Sequence, residues 1–442
     1  MANVNMLKIK KRAISDEFLK KFIDENGCFK PLLNLIDKNG IYKSRFMLNL
    51  RGTTVQIYYK CKHVLTIFEK HSDSDEDHKD KIKFECTARY IHNINKKGEL
   101  IWDKTFIDLI KLGVPKIIEK GKNYRFFLSN DEIKDFDWKS LLNALCDGID
   151  FCNTYKDEAE KEAQQRIWFE NNIARGSNST EYVIVDTEYE VSHGGRFDLW
   201  GFRWPNHSAK KPEMLVCMEL KFGQAAVNDK NSGDNQQQKK KQSSLKGHLK
   251  DFREFKEFLD KGTDNRVDFY EDISKVFCQL YRMNMIDMTL EAKLKKAIYN
   301  NQYPMLITKD TNKQMMFILA NYKPKATVLE NQILALIAEQ TEDQNNKKIV
   351  KEYISLSNKK NKSQKDTEKI EELTTYIIKM VEEYIKTAGN NHSNDEVIFA
   401  GSSYCGYGLY KDNTVSLTKI VKDLDIIKKV KEQVKDFKNK KV

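Results

Sequence analysis

A chain of 442 residues is too long for one ordinary hydrophobic core, so two or three domains are expected. Hydrophobic residues at 40% and aromatics at 11% exclude an intrinsically disordered chain, and no run approaches the ~18 apolar residues of a membrane span. The net charge of +11 is compatible with a polyanionic partner without requiring one.

The N-terminal stretch lacks the apolar segment of a signal peptide, so a soluble, cytoplasmic protein is expected. The eight cysteines include no C-x-x-C pair, which leaves neither a zinc site nor, in a reducing compartment, a disulfide framework. Residues 1–150 read as an α+β domain with a recognition or regulatory role. Alternation over 46–68 predicts two or three antiparallel strands, with turns near Gly52 and at Cys61-Lys62; 84–91 predicts another, and 71–80 is an acidic loop. Arg51, Tyr58, Tyr59, Lys60 and Lys62 mix basic and aromatic character on this sheet. An ordinary half-buried sheet is the simpler reading, and a nucleic-acid surface the sharper one.

Ala159, Ala163, Ile167 and Ala174 give 154–174 a helical apolar stripe. Strands follow at 182–191, 195–202 and 214–223, the last rich in Leu, Val, Met and Phe. The polar run 224–244 predicts a mobile loop, ahead of helices at 245–259 and 270–286. A hairpin is predicted next, 303–308 pairing with 314–322 through a turn at 309–313. The remainder, 323–442, reads as a helical, lysine-rich region: helices at 328–338, 366–387 and 417–438, with a polar linker over 343–365. Its last 24 residues hold nine lysines against four acids, a net of 9 − 4 = +5.

Two of these strands carry charge where only apolar residues are expected. Asp198 sits in Gly195-Arg196-Phe197-Asp198-Leu199-Trp200, and Glu219-Leu220-Lys221 ends the following strand. Strand alternation places Glu219 and Lys221 on one face, and burying both is costly unless an ion or partner holds them. Paired carboxylates beside a lysine suit metal-assisted phosphodiester hydrolysis. The bland reading is a set of cross-strand salt bridges on a half-exposed sheet, against which the apolar neighbours Leu215, Val216, Leu220 and Phe222 count.

At these residues the chain resembles the PD-(D/E)xK, or restriction-endonuclease-like, nucleases over residues 158–322, with Phe197 where the signature's proline would stand. The resemblance implies an α/β core in 151–322 with a mixed central sheet flanked by helices. It also implies Mg²⁺, with Mn²⁺ able to substitute, on Asp198 and Glu219, a contribution from the Leu220 carbonyl, and Lys221 beside the attacking water. A helix glutamate often joins such sites; Glu162 and Glu170 are the candidates, and Glu162 is favoured. Gln279 and Tyr281 lie where the family often carries a polar residue, although a helix-surface amide is the simpler reading. His248 and Asp251 read as polar residues near a helix start. The expectation is a metal-dependent DNA endonuclease of restriction or defence type, compatible with a homodimer, with RNA as substrate left open. Its rivals are a non-catalytic nucleic-acid-binding module of the same fold and an effector nuclease triggered through residues 1–150.

Overall fold

The structure, a computed structural model, describes residues 11–60, 62–69, 80–87, 93–94, 100–101, 118–120, 123–152, 159–175, 180–191, 195–205, 211–223, 245–260, 267–320, 326–341, 343–388, 396–402 and 406–422. It is a mixed α/β protein with two main sheets and a helical C-terminal part. The acidic loop expected at 71–80, apart from Asp80, and the polar run at 224–244 lie outside the described residues.

The first sheet begins where alternation predicts it. Strands β1 (Phe46–Leu50), β2 (Thr54–Tyr59), β3 (Lys62–Phe68) and β4 (Ile82–Thr87) form an antiparallel meander. After two short strands that pair only with each other, β5 (Asn93–Ile94) and β6 (Leu100–Ile101), come β7 (Ile118–Lys120) and β8 (Asn123–Leu128). They extend the sheet to the order β1-β2-β3-β4-β8-β7, five longer strands and a short edge. Gly52 turns β1 into β2 at φ +70°, and a Cβ there would stand 2.8 Å from the Lys11 carbonyl. Helices α1 (Asp16–Ile23), α2 (Lys30–Ile36), α3 (Asn130–Lys134) and α4 (Trp138–Cys152) complete this part. Ser15 caps α1, and Ser129 with Glu132 forms a capping box on α3. An aromatic cluster joins helices to sheet: Phe22 stacks on Phe29 at 4.6 Å, and Phe84 on Phe126 at 4.8 Å.

The second sheet opens after α5 (Ala159–Asn172). Strands β9 (Tyr182–Val191), β10 (Gly195–Arg203) and β11 (Met214–Phe222) run antiparallel, and β12 (Asn312–Ala320) joins β11 in parallel. The crossover between them carries α6 (Leu245–Asp260), α7 (Val267–Arg282) and α8 (Ala292–Tyr299). Both faces of β11 are buried, which accounts for its near-continuous apolar run. Trp200 meets Phe255 of α6 edge-on at 4.8 Å, and Trp204 stacks on Phe277 of α7 at 5.3 Å. A Cβ at Gly201 would lie 2.2 Å from the Val183 carbonyl, so the irregularity between Trp200 and Gly201 needs a residue without a side chain.

Three expectations are corrected. The hairpin over 303–322 does not form: β12 has β11 on one edge and β13 (Val397–Ser402) on the other, both parallel, which leaves no edge for 303–308. That segment runs as an extended connection, with Leu306 N donating to the Ser274 hydroxyl at 3.0 Å. The linker over 343–365 is largely helix. Helices α9 (Ala326–Gln340), α10 (Gln344–Ser357) and α11 (Gln364–Ala388) pack in succession, with Asp343 capping α10. Finally, the sheet continues past residue 322. β13 and β14 (Thr414–Ser416) give the order β14-β13-β12-β11-β10-β9, so 323–442 is not purely helical. Helix α12 (Leu417–Lys422) follows; the rest of the helix expected over 417–438 lies outside the described residues. Among the described residues, no helix is long and apolar enough to cross a membrane.

The two sheets meet edge to edge at β1 and β9. The Asn49 amide lies 2.6 Å from the Thr187 hydroxyl, and Arg51 donates to the Thr187 carbonyl at 2.8 Å. Buried Asp186 pairs with Arg51 and, at 3.0 Å, with Arg12. Residues 12–14 are clamped to α7: both oxygens of Asp272 accept from the backbone of Arg12 and Ala13, and Gln279 exchanges two hydrogen bonds with Ile14. Gln279 is thus neither a surface amide nor a group facing the strand ends. It is fully buried and holds the N-terminal segment.

Candidate active site

The β10–β11 ladder stops at Leu199↔Met218. Beyond that pair the strands part, and Asp198, Glu219, Leu220 and Lys221 lie at the opening. With no β10 carbonyl opposite, the Leu220 N–H is taken by Asp198 Oδ2 at 2.8 Å. A strand residue's N–H and C=O leave the chain on the same edge, so the Leu220 carbonyl faces the same gap. Gln164 of α5 fixes the other side, its Nε2 donating to the Asp198 carbonyl at 2.7 Å.

Glu219 and Lys221 point to one face, as alternation predicts, and are 5% exposed each. Lys221 Nζ lies 2.7 Å from Glu219 Oε1. The other carboxylate oxygen, Glu219 Oε2, is buried and has no hydrogen-bond partner among the described residues. His248, on the first turn of α6, brings its Nε2 to 3.1 Å from both Lys221 Nζ and Glu219 Oε1. The ammonium has three N–H bonds to donate, so in the Nδ1–H tautomer the imidazole Nε2 accepts from it.

The titration of these groups reflects burial first. Burial and the neighbouring charge of Asp198 push Glu219 up to about 8, against the opposing pull of Lys221. Asp198 is raised by burial as well, partly offset by the Leu220 N–H bond and by Lys221 and Arg196. His248 is pushed down to about 3 by burial and by Lys221, which keeps the ring neutral. Two carboxyls that resist ionisation side by side, one with an orphaned buried oxygen, make a site that a cation would complete.

Of the α5 glutamates, Glu160 and not Glu162 is the one whose charge couples to Asp198, Glu219 and Lys221. Its carboxyl, at the outer edge of the site, is raised by the protein around it and by Asp198, and lowered by Lys221. Glu160 and Gln164 are four residues apart, on one face of α5; at 100° per residue Glu162 lies about 160° around the helix from both. Glu162 instead pairs with Arg166 at 2.8 Å on the outer side. Glu170 is not at the site either; it accepts the Tyr407 N–H at 2.8 Å and anchors the stretch before β14. Both line a separate cleft with Arg45, Tyr59 and Phe169. The stripe Ala163, Ile167 was the available signal, since 160, 163, 164 and 167 fall at helical spacing on the buried side. His248 carried no comparable signal, because the segment 224–244 separates it from β11 in sequence. Tyr281 packs its ring against Phe277 and Tyr299.

Tested for fit, the donor set suits a hard divalent ion: carboxylate oxygens of Asp198 and Glu219 with the Leu220 carbonyl on the same gap. Among the described residues no three His, Cys, Asp or Glu side chains form a ready cage. Mg²⁺ tolerates this, since it keeps several waters and takes one or two protein carboxylates. No protein family, curated protein or solved structure matches this chain.

Proposed function

We propose that the chain is a metal-dependent nuclease of the PD-(D/E)xK type, with a DNA endonuclease of restriction or defence type as its most specific form. The observation that carries this is the meeting of Asp198, Glu219 and Lys221 where β10 and β11 part, with Glu219 Oε2 buried and unpartnered. The connectivity supports it too. A helix, three antiparallel strands, three crossover helices and a strand parallel to the third support an α/β core of the kind the sequence resemblance implies.

In this reading Asp198 and Glu219 hold Mg²⁺ or Mn²⁺ together with the Leu220 carbonyl. The ion, when bound, polarises the scissile phosphate and lowers the pKa of a water. Lys221 keeps a positive charge beside Glu219, where it orients that water and stabilises charge developing on the phosphate. Asp198 does double duty, since its bond to the Leu220 N–H fixes the separation of the two strands. Glu160 stands at the rim as a further carboxylate. Gln164 holds the backbone of Asp198 in place.

A second reading is favoured by one contact. The N-terminal sheet is tied through Arg51 to Asp186 on β9, and the charge of Glu188, two residues further along β9, acts on Asp198. A ligand or partner on residues 1–150 would therefore reach the site through one strand, as a triggered effector nuclease requires. The direct test is incubation of purified protein with supercoiled plasmid and with RNA in Mg²⁺, Mn²⁺ or EDTA. Cleavage that needs the ion and disappears in Glu219→Ala supports the nuclease. Binding without cleavage of either substrate would leave the non-catalytic module.

A further inference from the structure

We propose that His248 is a positioning residue for Lys221, accepting a hydrogen bond from its ammonium and so fixing where that charge stands at the strand opening. The consequence for turnover rests on the nuclease reading; the contact itself does not.

Lys221 reaches the site on a flexible four-carbon stem, and its usefulness depends on where Nζ is held. Nζ stands within hydrogen-bond distance of two groups, Glu219 Oε1 at 2.7 Å and His248 Nε2 at 3.1 Å, the latter an acceptor in the Nδ1–H tautomer. These come from different elements: Glu219 shares β11 with Lys221, whereas His248 arrives from α6 across the sheet. Glu219 is also the proposed metal ligand, and a carboxylate engaged by a divalent ion has less charge to offer an ammonium. His248 is then the acceptor whose hold on Nζ does not depend on how Glu219 is engaged. The third N–H of the ammonium is left for the water or phosphate.

α6 is seated firmly enough for this role. Leu245, Leu249, Phe252 and Phe255 are buried along one side of it. Farther along, Arg253 and Lys256 grip Glu396 at 2.9 and 3.1 Å. The imidazole keeps 14% of its side-chain surface exposed, at the edge of the opening. A histidine placed for packing alone would have no need of a lone pair aimed at Nζ.

Four variants separate this role from a structural one: His248→Phe, which keeps ring volume without the acceptor; His248→Gln, which keeps an acceptor; Lys221→Met; and the double variant His248→Phe/Lys221→Met. On supercoiled plasmid with Mg²⁺, His248→Phe should lower kcat by about 10- to 100-fold, the usual loss for a group that orients a primary site residue. KM and Mn²⁺ affinity should stay unchanged, and His248→Gln should recover most of the rate. Against a Lys221→Met background, His248→Phe should cost nothing more. An equal fold loss in both backgrounds, or no rescue by Gln, overturns the proposal. If the wild-type chain cleaves neither DNA nor RNA with either ion, the nuclease reading falls, and thermal unfolding of the same four proteins decides the contact. His248→Phe should then lower Tm in the chain with Lys221 and not in the Lys221→Met chain; additive Tm shifts would overturn it.

Discussion

Replacing Glu219 by Gln tests the site through stability alone, without a substrate. The Glu219 carboxyl is pushed from an ordinary 4.5 to about 8, chiefly by burial and secondly by Asp198. Below pH 4.5 it is protonated in both the folded and unfolded chain. Between 4.5 and 8 the unfolded chain releases the proton and the folded chain keeps it. Stability therefore falls as pH rises through that window and levels off above 8. At 1.36 kcal/mol per pH unit the ceiling is on the order of 5 kcal/mol. With unfolding entropy near 2.1 cal/mol/K per residue, that amounts to roughly 5 °C of Tm over a chain this long. Glu219→Gln imitates the protonated carboxyl and carries no such dependence. In EDTA the variant should match the wild type at pH 5 and exceed it in Tm at pH 9. Mg²⁺ should reverse the order. Ion at a hundred times its Kd adds about 2.7 kcal/mol to the wild type, and the variant, lacking the ligand, should gain little. Scanning calorimetry of both proteins from pH 5 to 9, with and without Mg²⁺, gives the comparison. Wild-type and variant curves that stay parallel would show Glu219 to be a charged, fully paired structural group and would refute the reasoning.

Other substitutions separate the roles. Lys221→Ala should retain Mn²⁺ binding by calorimetry yet lose about 10²–10³ in single-turnover rate, as for one transition-state contact. Asp198→Ala should lose both, and its Tm as well, because the Leu220 N–H then has no acceptor in the gap. Glu160→Gln should lower cleavage more than Glu162→Gln, which only breaks an exposed pair with Arg166; equal effects would return the helix glutamate to an open question. Asp186→Ala removes the buried carboxylate shared by Arg12 and Arg51 and should cost about 3–5 kcal/mol in chemical denaturation. Deleting 423–442 should weaken DNA binding and flatten its salt dependence by about 0.9 in log–log slope per lost phosphate contact.

The strands that carry the site were legible because burial on both faces leaves a plain signature. Gly195–Arg203 and Met214–Phe222 each fall within a residue of their predicted ends. Asp198, Glu219 and Lys221 stood out there as charges in apolar runs. What sequence could not give was edge occupancy. Residues 303–308 look like a strand, but both edges of β12 are taken by partners about a hundred residues away on either side, β11 and β13. β13 and β14 are six and three residues long and earn their place only by pairing. The stretch 343–365 misled through its Lys, Asn and Ser content. Ile349, Val350, Tyr353 and Ile354 within it still supply a helical stripe that packs against the core. Glu162, favoured over Glu170 in sequence, adjoins Ala163, whereas helix geometry puts Glu160, three residues before Ala163, on that face.

The salt-bridge reading of Glu219 and Lys221 can be weighed against the carboxylates that plainly are structural. Glu396 gives one oxygen to Arg253 and the other to Lys256, and its carboxyl is lowered on balance, their charges and hydrogen bonds outweighing its burial. Asp272 gives one oxygen to each of two backbone N–H groups. The amides around the site are satisfied in the same thorough way: Asn172 of α5 both donates to and accepts from Ile184 on β9. Arg175 donates to the carbonyls of Thr180, Tyr182 and Trp204, tying the ends of β9 and β10 together. These bonds hold α5, β9 and β10 together up to the point where β10 leaves β11. At that point one Glu219 oxygen has no partner among the described residues, and burial raises the carboxyl to about 8 although Lys221 stands beside it. A salt bridge kept for stability would have its second oxygen filled, as Glu396 does. An open buried carboxylate oxygen beside a second raised carboxyl is where a cation would gain most, which is why the nuclease proposal rests on this group and not on Glu396 or Asp272.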